Sequence, residues 1–118
     1  MKGYVENIEE QTLENENFRK VLFTGTNTQL VVMNLLPNED IGMETHDDID
    51  QFIRIERGEG KAVLDGEEYN IEDNWAVIIP AGTEHNIVNT SSNMPMKLYT
   101  LYSPPEHPDQ TIQVTKED

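Results

Sequence analysis

Cysteine is absent from the 118 residues, which excludes disulfides and thiolate ligands and suits a reducing compartment. Basic residues are scarce. Eight lysines and arginines stand against 23 aspartates and glutamates, a net charge of −15 with a pI near 4.3. Binding to a phosphate backbone depends on cationic side chains, so no nucleic-acid partner is expected, and the excess acid reads as a solvated surface. No apolar run is long enough to cross a bilayer as a helix. The opening Met1-Lys2-Gly3-Tyr4-Val5-Glu6 lacks the charged-then-apolar order of a secretory leader. A cytoplasmic protein without a membrane partner is therefore expected. Also missing are a Ser-His-Asp set, a phosphate-cradling glycine loop and a dinucleotide fingerprint. The length suits one core and is too short for two.

What is present is a succession of short strands. Residues 1–17 are rich in glutamate and asparagine, with Ile8 and Leu13 able to pin a helical stub, and read as an N-terminal arm. Residues 18–103 carry the strand signals: Phe18–Thr24, the doubly buried run Gln29–Leu35, Ile41–His46, Gln51–Glu56, Lys61–Leu64, Glu67–Ile71, Trp75–Ile79, His85–Asn89 and Met96–Ser103. Asp65-Gly66 predicts a two-residue hairpin turn, because a type I′ turn needs positive φ at both central positions. Residues 104–118 form a proline-rich extended tail in which Thr111–Val114 can add an edge strand. Many short strands, regular turn residues and no amphipathic helix predict an all-β sandwich or barrel.

The stretch Asn74–Asn89 organises the rest: a turn, an apolar strand, a break at Pro80-Ala81-Gly82, then His85 opening a second strand. It resembles the second motif of the cupin superfamily, G(x)5PxG(x)2H(x)3N, in every position but the first, where Asn74 replaces glycine. Asparagine tolerates the left-handed conformation a glycine there would supply. A degraded form of the first motif, G(x)5HxH(x)3-4E(x)6G, lies between Gly42 and Gly58. Counting back from Gly58 puts Gln51 in the glutamate position, His46 in that of the second histidine and Glu44 in that of the first. Residues two apart on a strand share a face, so Glu44 and His46 are expected to project together, as are Gln51, Ile53 and Ile55, and likewise His85, Ile87 and Asn89.

The resemblance is to small single-domain cupins of the mannose-6-phosphate isomerase-like group. It implies the conserved cupin β-barrel, a double-stranded β-helix or jelly roll, and a divalent metal. The candidate ligands Glu44, His46, Gln51 and His85 form a mixed nitrogen and oxygen set that suits manganese, iron, nickel, cobalt or zinc. Three readings of function stay open. One is a metal-dependent enzyme with isomerase- or epimerase-like Lewis-acid chemistry on a small polar metabolite, with Glu44 as candidate base if it is not a ligand. The second is a metal-dependent dioxygenase, and the third a non-catalytic module that binds or senses a small molecule. His107, alone in the proline-rich tail, reads as a surface residue; Asp47, Asp48 and Asp50 read as a polar turn at the barrel mouth. Trp75, Tyr99 and Tyr102 read as core or interface packing. A sheet protein this small leaves edges exposed, and a homodimer is the expected remedy.

Overall fold

Alternation sets the strands. In a computed structural model, which describes residues 2–118, strand β3 (Asp50–Arg57) buries Gln51, Ile53 and Ile55 and leaves Phe52, Arg54 and Glu56 partly exposed. Strand β8 (Met96–Ser103) buries Met96, Leu98, Thr100 and Tyr102 in the same way. This period of two belongs to a sheet packed on one face. Strand β2 (Gln29–Leu35) is buried almost throughout, as its Leu30–Met33 apolar run predicts. With β1 (Arg19–Thr24), β6 (Ala76–Ile79) and the two-residue β9 (Ile112–Gln113), these make a six-stranded sheet in the order β6-β3-β8-β2-β1-β9. A three-stranded sheet, β5-β4-β7, faces it, built from β4 (Glu59–Leu64), β5 (Glu67–Glu72) and β7 (His85–Asn89). All strand pairings are antiparallel.

The core lies between the two sheets, with Ile53, Ile55, Leu98, Met96, Leu35 and Met33 from the larger one against Ala62, Ile71 and Ile87 from the smaller. Each fully buried aliphatic side chain contributes about 1.5–3 kcal/mol over leaving it in water. Gly60 on β4 has no room for a side chain, since a Cβ there would lie 2.0 Å from the Val88 carbonyl oxygen of neighbouring β7 and 2.5 Å from Met96 Cε. Only a residue without a side chain fits.

Turn chemistry follows the sequence. Asp65 and Gly66 both take positive φ, 48° and 84°, as the type I′ hairpin requires, and Asn74 adopts φ 72° in the glycine position of the motif. The N-terminal stub is a helix, α1 (Ile8–Glu14), capped by the Asn7 side chain on Glu10 N–H at 3.0 Å and packed on β8, β3 and β2. One expected strand, Ile41–His46, does not form. The stretch from Asp40 to His46 pairs its backbone with β7 only at isolated bridges, Asp40 with Val88 and Glu44 with His85. Gly42 takes φ 113° and donates its N–H to the Asn86 side chain at 2.9 Å, which interrupts the ladder that regular pairing would need.

Candidate metal centre

His85 is fixed from several directions. Its strand pairs with β4, placing it opposite Leu64. The loop before it is tied to the β4–β5 turn by a reciprocal pair: Asp65 N–H donates to the Glu84 carbonyl at 2.8 Å, and Glu84 N–H to the Asp65 carboxylate at 2.9 Å. The Pro80-Ala81-Gly82 break is held as well. Ala81 N–H donates to Asp50 Oδ1 at 2.8 Å, and Gly82 N–H to the His46 carbonyl at 2.8 Å.

Glu44 sits directly across from His85, each backbone N–H donating to the other's carbonyl at 2.9 Å. Residues so paired project side chains to one face, and His46, two positions on, joins them. The His46 and His85 ring centroids are 5.4 Å apart. Glu44 Oε1 lies 3.4 Å from His46 Nε2 and 3.8 Å from His85 Nε2, and the ligand atoms of Glu44, His46 and His85 all fall within 4.8 Å of one another.

The tautomer of His85 follows from its surroundings. Its Nδ1 is 2.8 Å from the Thr83 carbonyl oxygen, which can only accept, so Nδ1 carries a proton, and in the neutral ring Nε2 is the lone pair. That Nε2, like the Nε2 of His46, is buried and has no hydrogen-bond partner. Leaving such a group unsatisfied costs about 1–3 kcal/mol. Two unpartnered imidazole nitrogens converging on a carboxylate are the donor set a divalent cation takes, so these residues fit a metal ion. Exposure is graded: His85 is 3% exposed, while the Glu44 side chain is 36% exposed, so the cluster opens to solvent at Glu44.

Gln51 stands on the inner face as its register with Tyr102 and Ile79 requires. Its amide nitrogen donates to Thr100 Oγ1 at 3.0 Å, and its carbonyl oxygen is buried without a partner. Within the close cluster the structure brings together Glu44, His46 and His85, and Gln51 lines the same interior.

His107 departs from the sequence reading. It is half-buried, its ring meeting the Tyr102 ring edge-on at 5.0 Å, and Tyr102 in turn meets His46 at 6.1 Å. Burial, then the Arg19 guanidinium and His46, pull the His107 imidazole down to about 4. Burial likewise pushes the Tyr102 hydroxyl up. Glu106 was also missed: its Oε2 lies 3.4 Å from His46 Nδ1. No local pattern in the tail announces either contact, because Gln29 holds Glu106 and His107 there from 77 and 78 positions away.

A family profile described as Cupin domain matches residues 31–102. The chain is 43% identical to Uncharacterized protein YrkC of Bacillus subtilis (strain 168), over 99% of this chain and 66% of that relative. It is 43% identical to Uncharacterized protein L612 of Acanthamoeba polyphaga mimivirus, over 96% of this chain and 72% of that one. The chain thus spans about two thirds of the length of the Bacillus relative. The crystal structure of BH2720 from Bacillus halodurans superposes with a TM-score of 0.95 at 41% identity, covering 98% of this chain and 92% of that one.

Proposed function

The chain belongs to the cupin family, and from that premise we propose that Glu44, His46 and His85, with Gln51, hold a divalent cation and that the protein acts as a small metal-dependent enzyme on a polar metabolite. The observation carrying this reading is the pair of buried, unpartnered imidazole nitrogens facing one carboxylate. Bound there, a divalent cation supplies Lewis acidity toward a carbonyl or enediolate oxygen. The protein's own part is positioning. His85 presents a fixed lone pair because Thr83 holds its other nitrogen. Glu44, the most exposed member, meets solvent and an incoming molecule first; if His46, His85 and Gln51 hold the cation without it, its free carboxylate is the candidate base toward a carbon next to a carbonyl. On the interior side, buried Tyr102 meets the His46 ring edge-on and buried Thr100 accepts from the Gln51 amide.

Turnover of small hydroxycarbonyl compounds tests this, with zinc- or manganese-loaded protein under nitrogen against iron-loaded protein under oxygen. Interconversion with a redox-inert ion, abolished in Glu44→Gln, supports the isomerase-like reading. Oxygen consumption confined to the iron form replaces it with dioxygenase chemistry. Binding without turnover in either leaves a ligand-binding module.

We also propose a homodimer, supported by apolar side chains at the free sheet edges: Trp75 is 50% and Ile78 68% exposed, beside Tyr69 on β5. A light-scattering mass of one chain at micromolar concentration would refute it.

A further inference from the structure

The two histidines of the cluster differ in what holds the nitrogen facing away from it. For His85 that partner is the Thr83 carbonyl, supplied by its own hairpin. For His46 the group at that nitrogen is the Glu106 carboxylate, 3.4 Å from Nδ1, on the tail beyond the region matched by the family profile. We propose that Glu106 is a positioning residue for His46, holding the proton on Nδ1 and so presenting Nε2 as a bare lone pair. This rests on the metal-binding reading for its purpose, though not for its geometry.

The tail is built to keep Glu106 there. Gln29 is fully buried, and its amide uses every bonding position on this task. Its oxygen accepts from the backbone N–H of Glu106 at 3.2 Å and of His107 at 2.9 Å; its nitrogen donates to the His107 carbonyl at 2.7 Å and to Thr24 Oγ1 at 2.9 Å. Tyr102, opposite Gln29 in the sheet register, stands between the His46 and His107 rings. The carboxylate is therefore delivered by a clamped backbone on a tail that also pairs with β1 through β9. A carboxylate behind a ligating imidazole fixes its tautomer and ring orientation and raises its basicity, and losing one weakens metal affinity about 10–100-fold.

The test uses the full chain with Glu106→Ala and Glu106→Gln. The Glu106 side chain is 31% exposed, so truncating it opens no core cavity. In nitrogen-15 imidazole spectra of metal-free protein, recorded at a pH where the spectra themselves show the ring to be neutral, wild type should show His46 protonated on Nδ1. Glu106→Gln, which keeps an acceptor oxygen, should retain that form; Glu106→Ala should lose it to a mixture containing the Nε2–H tautomer. Zinc affinity, measured by competition with a chromophoric chelator, should fall about 10–100-fold in Glu106→Ala and less in Glu106→Gln. An unchanged His46 tautomer in Glu106→Ala overturns the assignment. A wild type that takes up no zinc overturns the metal reading instead, and the tautomer measurement alone then decides on Glu106.

Discussion

His85 stands at the head of a regular strand bonded along its length to β4, whereas His46 ends an irregular segment that pairs with β7 only at isolated bridges. Both rings nonetheless reach the same point. The first is placed by local hairpin geometry, with its outward nitrogen satisfied two residues away. The second is placed by long-range ties: its carbonyl accepts from Gly82, and its outward nitrogen faces a carboxylate from the far end of the chain. Regular secondary structure is one way to place an imidazole; long-range contacts are another.

Four substitutions or conditions press on that contrast. The largest effect is expected on the regular side. Gly60→Ala forces a methyl group into the Val88 backbone of the strand that carries His85, and should destabilise by about 3 kcal/mol or more, read as a lower midpoint in urea. Asn89→Ala comes next. The Asn89 amide donates to the carbonyls of Leu35, Leu36 and Met94 and accepts from Ser91 N–H, all at a 1% exposed position. Leaving those groups unpaired should cost about 2 kcal/mol by the same measurement.

The irregular side should respond to acid. The His107 imidazole is held at about 4 against an ordinary value of 6.5, so below pH 6.5 the unfolded chain takes up a proton the folded one refuses. Stability should be intact above pH 6.5 and fall by about 1–2 kcal/mol as the pH drops to 4, discounted for the ring's partial exposure. His107→Leu should flatten that part of the curve. The smallest effect is expected from Asn74→Gly, which restores the motif residue. Relief of the left-handed backbone offsets loss of the exposed hydrogen bond from Arg54, and urea midpoints should move by less than about 0.5 kcal/mol.

The contrast also explains what could be read in advance. The β5, β7 and β8 strands, the Asp65-Gly66 turn and the left-handed Asn74 were legible because each is set by alternation or by turn chemistry within a few residues. So was the inner face of Gln51, Ile53 and Ile55. The Ile41–His46 segment was misread as a strand because its alternation is real while its pairing is not: Gly42 turns the backbone away and Asn86 takes its N–H. Glu106 and His107 were invisible as site neighbours. Their position depends on the buried Gln29 amide, a contact that no window along the sequence contains.

The most direct test is calorimetric titration of metal-free protein with manganese, nickel and zinc, alongside His46→Ala, His85→Ala and the double variant. The expected result is saturable uptake of a single equivalent of at least one of these ions by wild type, lost in either single variant, because two lone pairs and a carboxylate act as one site. Equal uptake by wild type and the double variant would contradict it.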